Sequence, residues 1–245
     1  MKVAFLGATK GMGRALARRM AERGDALHLL GRDAAELEKS ARDLEARAGR
    51  GTIGHARCDL ETPESFGPAL AAAEAALGGL DAVVVTAGLF GTQEQLEADP
   101  RFLGRVLDAD FTGTVLFCEE ARKRLLPRGG GTLCVFSSVA GERGRKPVAL
   151  YGAAKAGLST YLEALDHRYR SQGLKTVCVK PGFVRTSMTA GLPEPPFAGD
   201  PEAVANAVLR AIDRGTPVVY APPIWGVVMF VIRLLPRFVM RRVGF

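Results

Sequence analysis

The sequence is poor in the residues that bind metals or build disulfides. Its four cysteines lie far apart, mostly within apolar stretches, and form no CxxC pair, and its three histidines lack the spacing of metal ligands. These absences argue against a metal centre, a redox dithiol and a disulfide framework. We therefore expect buried, reduced thiols, as in cytoplasmic proteins.

Long apolar runs and leader sequences are also missing. No run reaches the ~20 residues that span a bilayer, and no secretory leader precedes the first apolar segment, Lys2–Leu6. A broad basic face with aromatic platforms is absent too, so we expect no nucleic-acid partner. The net charge of +7 is concentrated near the C-terminus, because five arginines and no acidic residue follow Asp213. We expect a cytoplasmic protein with a basic C-terminal segment.

Short apolar runs typical of buried strands alternate with helical patterns, in units of about thirty residues. The predicted strands are Lys2–Leu6, Ala26–Leu30, Thr52–Cys58, Asp81–Thr86, Thr132–Ser138, Lys175–Lys180 and Thr216–Tyr220. The predicted helices are Arg14–Arg23, Asp33–Ala48, Pro63–Leu77, Gln93–Leu103, Arg105–Leu126, one from about Tyr151 to Arg170, and Asp200–Arg214. This alternation predicts an α/β fold, a single-domain Rossmann-like doubly wound parallel sheet of about seven strands with helices on both faces. We expect the domain to span residues 1–222, followed by a hydrophobic and basic segment, 223–245.

A glycine motif, GATKGMG, lies between the first strand and the first helix. Glycines allow a tight turn and a close approach of the backbone to a pyrophosphate, and the helix N-terminus offers free N–H groups. Its position therefore indicates a dinucleotide site built around Gly7, Gly11 and Gly13.

The end of the second strand bears on the choice of dinucleotide. An acid there usually binds the ribose hydroxyls of NAD, whereas a basic residue accommodates the 2′-phosphate of NADP. Here Arg32 stands at the tip and Lys10 in the glycine loop, although Asp33 is adjacent. We expect NADP(H) to be favoured over NAD(H). Asp59 follows the third strand and is either an adenine contact or a cap of a turn.

Three polar groups suited to carbonyl chemistry follow the fifth predicted strand. Ser138 ends that strand, and Tyr151 and Lys155 are four residues apart in a helical run, so they share one helix face. A nearby ammonium lowers the pKa of a phenol toward the working range, and a serine hydroxyl can hydrogen-bond a carbonyl oxygen that gains charge. We expect Tyr151 to donate a proton, Lys155 to lower its pKa, and Ser138 to polarise the carbonyl.

Together, GATKGMG, Asp59, Ala87-Gly88, Ser138, YGAAK and PGFVRT resemble the motifs of the short-chain dehydrogenase/reductase superfamily along nearly the whole chain. The resemblance implies hydride transfer between a nicotinamide cofactor and a carbonyl or alcohol, and a homodimer or homotetramer. It implies catalytic roles for Ser138, Tyr151 and Lys155. The cofactor-binding positions that it implies are Gly7, Thr9, Lys10, Gly11, Met12, Gly13, Arg32, Asp59, Leu60, Ala87, Gly88, Tyr151, Lys155, Pro181, Gly182, Val184 and Thr186.

Three positions depart from the superfamily pattern. Leu6 stands before the first glycine in place of the usual Thr, and Val85-Thr86 stands where the pattern has Asn-Asn. Asp110 occupies the place of a fourth catalytic residue, an asparagine that helps to hold a water relaying protons to the lysine. A carboxylate would bring negative charge near Lys155, so we expect an altered pH optimum.

The second half carries a narrower resemblance. SSVAGERGRKPVALYGAAKAG, PGFVRTSMTAGLPEPPFAGDPEAVA and an arginine-punctuated tail are similar to the bacterial reductases that complete the epimerisation of decaprenylphosphoryl-ribose to its arabinose epimer. Those reductases act on decaprenylphosphoryl-2-keto-erythro-pentose, a keto-sugar on a polyprenyl phosphate. The resemblance implies a lipid-linked ketone substrate. A 3-ketosphinganine-like or 3-ketoacyl reductase is the alternative within the same chemistry, and a weakly active nucleotide-sensing protein is the alternative outside it.

The C-terminal segment suits a membrane surface. Ile224–Ile232 is apolar but too short to span a bilayer, and Arg233, Arg237 and Arg241 would form one basic stripe if the segment were a single helix, which Pro236 would kink or interrupt. We expect peripheral contact of residues 223–245 with the inner face of the cell membrane. The alternatives are a segment that folds over the site or one used in oligomer contacts.

Overall fold

The computed structural model describes residues 1–49 and 53–244. Within these residues seven parallel strands form one sheet, in the order β3-β2-β1-β4-β5-β6-β7. The strands are β1 (Lys2–Leu6), β2 (Ala26–Gly31), β3 (Gly54–Arg57), β4 (Ala82–Val85), β5 (Gly131–Phe136), β6 (Leu174–Pro181) and β7 (Val218–Ala221). The predicted doubly wound parallel sheet is confirmed.

Helices cover both faces of the sheet. They are α1 (Gly11–Arg23), α2 (Ala34–Ala48), α3 (Phe66–Leu77), α4 (Gln93–Ala98), α5 (Pro100–Leu107), α6 (Gly113–Leu125), α7 (Ala149–Tyr169), α8 (Pro201–Arg214), α9 (Ile224–Leu234) and α10 (Arg237–Met240). One core joins the sheet to α1, α2 and α8, and the other joins it to α3, α6 and α7. Because both faces are covered, central strands such as β4 are buried at every position rather than alternating.

The strand order places the site. The chain moves outward from β1 through β2 to β3, then returns to the other side of β1 to continue with β4. The loops after β1 and β4 therefore separate at their carboxyl ends and leave a crevice, where such sheets bind ligands.

Two predicted helices are interrupted in the structure. The helix expected over Gln93–Leu103 breaks at Pro100, because a proline has no N–H to continue α4; Asp99 ends α4 and accepts hydrogen bonds from the first N–H groups of α5. The long helix expected over Arg105–Leu126 contains a wider, π-helical turn at Asp108–Thr112. The third strand is Gly54–Arg57, and Thr52, at its predicted start, lies outside the described residues.

The C-terminal segment packs its first helix on the domain. Met229 and Ile232 of α9 are buried against Val139, which follows β5. Pro236 interrupts the helix, as the sequence predicts: it separates α9 from α10, and Arg233 pairs with an acidic residue of the domain, so the arginines do not form one stripe. In the described part of the chain, no helix is both long and apolar enough to cross a membrane. The division into a domain of 1–222 and a segment of 223–245 stays a prediction.

Candidate active site

The serine, tyrosine and lysine singled out in the sequence come together where β5 ends and α7 begins. Ser138 starts a turn directly after β5, and its hydroxyl oxygen accepts the N–H of Ala140 at 3.0 Å. Tyr151 and Lys155 lie one turn apart near the start of α7, and the Lys155 Nζ is 5.7 Å from the centre of the Tyr151 ring. The helical spacing thus brings the ammonium to the phenol, as expected.

Lys155 is held by a buried ion pair with Asp110. Lys155 is 4% exposed and Asp110 is fully buried, and the Lys155 Nζ lies 3.3 Å from Asp110 Oδ1. The ammonium also donates to the Phe136 carbonyl at 3.2 Å, and Asp110 Oδ1 accepts the N–H of Leu89 at 3.0 Å. Asp110 Oδ2 is buried with no hydrogen-bond partner. An unpaired buried acceptor is costly, so the position of Asp110 is not explained by its contacts with Lys155 and Leu89 alone.

The two charges of this pair act on each other. Burial lowers the pKa of Lys155, but the Asp110 carboxylate and Tyr151 outweigh burial and leave that pKa raised. Burial raises the pKa of Asp110, and Lys155 opposes the rise. Each charge thus favours the ionised form of its partner and opposes the effect of burial.

Tyr151 departs from the expected direction. Burial, the largest effect, raises its pKa, Asp110 adds to the rise, and Lys155 and a hydrogen bond with Ser138 lower it. The effect of Lys155 has the predicted sign, but the net pKa lies above the ordinary value for tyrosine. The phenol is therefore protonated at neutral pH, which is the form that can donate a proton.

A cavity of about 510 Å³ lies along the carboxyl ends of β1, β2 and β4. Its lining includes most of the predicted cofactor positions, which are Gly7, Thr9, Lys10, Gly11, Met12, Gly13, Arg32, Asp59, Leu60, Ala87, Gly88 and Thr186. Phe90 belongs to the same lining, and its ring packs edge-on against Tyr151, 5.1 Å between centres. The cavity thus reaches the ring that contacts Tyr151.

The glycine loop requires glycine at its first position. Gly7 has φ near 100°, and a Cβ there would overlap the backbone of Ala87. The Thr86 hydroxyl donates to the Gly7 carbonyl at 2.9 Å and so ties this loop to the end of β4. Thr86, one of the departures from the superfamily pattern, therefore has a structural role here.

The tip of β2 carries charges of both signs at the edge of the cavity. The Asp33 carboxylate caps α2 by accepting the N–H of Glu36 at 3.1 Å. Arg32 is exposed and lies 3.7 Å from Glu61, a weak surface pair. Lys10 has no ion-pair partner among the residues that the structure describes, and both cations line the cavity. Asp59 also caps a turn, since Oδ1 accepts the N–H of Glu61.

The sequence model of the short chain dehydrogenase family matches residues 2–196. The chain belongs to this family. Family membership makes it an NAD(P)-dependent oxidoreductase.

Relatives of this short-chain dehydrogenase match it along most of their length. An uncharacterized oxidoreductase of Mycobacterium tuberculosis is 35% identical over 242 residues, which cover 98% of this chain and 96% of the relative. An uncharacterized oxidoreductase of Streptomyces coelicolor is 35% identical over 245 residues, covering 97% and 93%. The crystal structure of an actinorhodin polyketide ketoreductase variant with NADPH superposes with a TM-score of 0.80 at 24% identity, covering 89% of this chain and 95% of that one. This last likeness shows the fold.

Five predicted cofactor positions of this short-chain dehydrogenase lie outside the cavity lining, namely Tyr151 and Lys155, described above, and three residues at and after the end of β6. Pro181 ends β6, Gly182 lies against the indole of Trp225, and Val184 is buried beside Gly199. Trp225, from α9, also donates from its ring nitrogen to the Phe197 carbonyl at 3.3 Å. The C-terminal segment thus reaches the loop that follows β6.

Sequence reasoning missed a buried carboxylate between Ser138 and Tyr151. The Glu142 side chain is almost fully buried and pairs with Lys180, at the end of β6. It also accepts the Tyr220 hydroxyl at 3.1 Å and lies 3.1 Å from Arg233 of α9. These partners are distant in sequence, so no local pattern indicates them. Glu142 fastens the turn after Ser138 to β6, β7 and α9.

The close packing of Gly88 against the buried pair can be tested by adding one methyl group. A Cβ at Gly88 would overlap Asp110 Oδ1 and come within 3.6 Å of the Lys155 Nζ. We expect Gly88→Ala to lower the free energy of unfolding by about 1–3 kcal/mol, as overpacking does, measured by urea denaturation. Gly104→Ala is the matched control, because its Cβ would meet nothing within 4 Å inside α5. It should stabilise by about 0.5–1 kcal/mol. Equal effects of both substitutions would contradict the packing described.

Proposed function

We propose that this short-chain dehydrogenase reduces a ketone with NADPH. The observation that carries the proposal is the meeting of Ser138, Tyr151 and Lys155 beside the cavity that the glycine loop lines. The glycine loop leaves room that a side chain would fill, and Phe90 of the cavity lining packs against Tyr151, so the residues present fit a dinucleotide. When bound, the nicotinamide supplies the hydride.

The protein's own residues handle the proton. Tyr151, protonated at neutral pH, donates its proton to the carbonyl oxygen as that oxygen gains negative charge. Ser138 accepts the Ala140 N–H with its oxygen, and its hydroxyl proton, which hydrogen-bonds Tyr151 in this structure, would turn to the same carbonyl oxygen when a ketone is bound. Both donors act on the oxygen, so the carbonyl carbon becomes more electrophilic.

Lys155 stabilises the phenolate that remains. An ammonium has three donors, of which one serves Asp110 and one serves the Phe136 carbonyl. The third is left for a ribose hydroxyl of the cofactor, and the positive charge lowers the pKa of Tyr151. Asp110 opposes this, because its carboxylate raises the pKa of both Tyr151 and Lys155. We propose that Asp110 shifts the working range of the site toward higher pH.

The preference for NADPH rests on charge at the β2 tip. Arg32 and Lys10 both line the cavity, and the Asp33 carboxylate is engaged at the start of α2. Two cations near one position suit a 2′-phosphate better than a ribose diol.

The substrate class is proposed from the second half of the chain. The resemblance to keto-sugar reductases and the apolar, basic C-terminal segment support a ketone linked to a lipid, a keto-sugar on polyprenyl phosphate first. Trp225 brings this segment to the loop after β6, so a lipid held by the segment would lie near the site. We propose peripheral contact with the inner face of the membrane through residues 223–245, and a homodimer or homotetramer, as is typical of the family.

Replacing the phenol tests the proton donor. We expect Tyr151→Phe to lower the rate of ketone-dependent NADPH oxidation by about 10²–10⁴-fold, the usual contribution of a general acid. The control is Tyr169→Phe, whose ring faces Arg122 and Arg168, and it should change the rate less than threefold. The assay uses a panel containing the polyprenyl-phosphate keto-pentose, a 3-ketoacyl thioester and 3-ketosphinganine. If the protein bound NADPH but oxidised it with none of these ketones, the reductase proposal would be contradicted.

The preference for NADPH over NADH is tested by replacing Arg32. We expect Arg32→Ala to lower kcat/KM for NADPH by about tenfold to a hundredfold, the loss of a charge-assisted hydrogen bond, and to leave kcat/KM for NADH nearly unchanged. Arg101→Ala removes a similarly exposed arginine outside the cavity and should alter neither value. An equal loss with both cofactors would show that Arg32 does not read the 2′-phosphate.

The role of Asp110 is tested by pH dependence. Removing the negative charge lowers the pKa of Tyr151, because Asp110 raises it. The phenol then loses its proton at lower pH, so we expect Asp110→Asn to move the alkaline limb of the reduction rate to lower pH. Asp108→Asn, an exposed carboxylate of the same helical turn, should leave the profile in place. Superimposable profiles for Asp110→Asn and the unmodified protein would remove Asp110 from the mechanism.

A further inference from the structure

A second cavity, of about 370 Å³, lies between the turn that precedes α7 and the C-terminal segment. Its charged lining consists of four cations, Arg143 and Lys146 from the turn and Arg237 and Arg241 from α10 and its end. Gly144 and Met240 complete the lining, which contains no acidic residue. Four like charges around one cavity repel each other, so the arrangement favours an anion at its centre.

These cations differ from their basic neighbours in having no carboxylate partner. Lys180 and Arg233 both pair with Glu142, whereas none of the four cavity cations pairs with a carboxylate in the described part of the chain. Arg143 donates to the Leu235 carbonyl at 2.8 Å, and Lys146 donates to the Arg241 carbonyl at 2.6 Å. Those bonds join the two walls and leave further N–H donors on both side chains. These two hydrogen bonds thus hold Arg143 and Lys146 in place, and the cations of the cavity retain N–H donors that can bind an anion.

The same segment exposes an apolar face. Val227, Phe230, Val231 and Leu234 recur at the spacing of one helix face of α9, and they and Phe238 are 53–69% exposed. The opposite face of α9 is buried on the domain through Met229 and Ile232. Phe238 lies between the cavity residues Arg237 and Arg241 in the chain. Exposed apolar side chains beside a cluster of cations match the two halves of an anionic lipid, the acyl chain and the phosphate.

We propose that the cavity binds the phosphate headgroup of an anionic lipid, while the exposed face of α9 and Phe238 enter the bilayer surface. The inference rests on the membrane contact proposed above and deepens it by naming the headgroup site. Arg143 and Lys146 belong to the turn between Ser138 and Tyr151. A headgroup bound there would orient the protein so that the side carrying Ser138 and Tyr151 faces the membrane.

Vesicle flotation tests the site without ketone or cofactor. The probes are phosphatidylcholine vesicles and the same vesicles containing phosphatidic acid, a phosphomonoester lipid. We expect the full chain to float with the phosphatidic acid vesicles only. The variant R237Q/R241Q should bind them about a hundredfold more weakly, since each charge-assisted hydrogen bond to the phosphate is worth roughly tenfold. Neither side chain bonds another residue in the described structure, and unchanged thermal unfolding would show that the variant is folded.

The matched control is R214Q/R242Q, which removes the same charge from exposed arginines outside the cavity. It should weaken binding by less than threefold, because diffuse attraction is only a small part of the effect. Equal losses in the two double variants would overturn the site in favour of general electrostatic attraction. Equal flotation with both kinds of vesicle, or none with either, would also overturn it.

A second variant addresses the apolar face. We expect Phe230→Ser to weaken flotation and to leave the oligomeric state unchanged in size-exclusion chromatography with light scattering. A smaller oligomer with unchanged flotation would mean that a second copy of the chain covers α9, and it would overturn the proposal. Because no reduction is measured, failure of this inference leaves the reductase proposal standing, and failure of NADPH oxidation leaves the headgroup site standing.

Discussion

A lysine ammonium almost without exposure is stable only where other groups replace its water. In this protein Asp110 and the Phe136 carbonyl perform that task for Lys155. Desolvating two charges is expensive, and their attraction compensates only when the geometry is close and further hydrogen bonds are made. The pair therefore requires β5, the π-helical turn and α7 to meet within a few ångströms. Gly88 has no side chain at the point where one would displace the carboxylate.

The electrostatics of the phenol follow from this pair. Lys155 alone would lower the pKa of Tyr151, but Asp110 lies beside the ammonium and raises that pKa, and burial disfavours the phenolate as it disfavours the other two charges. The carboxylate of Asp110 thus acts on the pKa of both Tyr151 and Lys155. Its second oxygen, Oδ2, is a buried acceptor without a partner in the described structure.

A second buried carboxylate, Glu142, organises the opposite side of the site. Its contacts with Lys180, Tyr220 and Arg233 fasten the turn after Ser138 to β6, β7 and α9. Glu142 pairs with both Lys180 and Arg233, whereas the cations of the second cavity have no carboxylate partner in the described part of the chain. The C-terminal segment therefore packs on the domain near the loop after β6 and also offers an exposed surface. One apolar face of α9 is buried on the domain and the other is exposed.

By itself the sequence determined the alternation of strands and helices, the glycine loop after β1 and the shared face of Tyr151 and Lys155. Each of these depends on neighbours within a few residues, where periodicity, glycine and helical spacing act directly. The sequence also predicted the break at Pro236, since a proline interrupts a helix whatever surrounds it. Only the tertiary structure decided the net direction of the Tyr151 pKa, the partners of Glu142, the contact of Trp225 with Gly182 and the meeting of Arg143 and Lys146 with Arg237 and Arg241. Those depend on burial and on contacts between residues up to about a hundred positions apart, for which no local pattern exists.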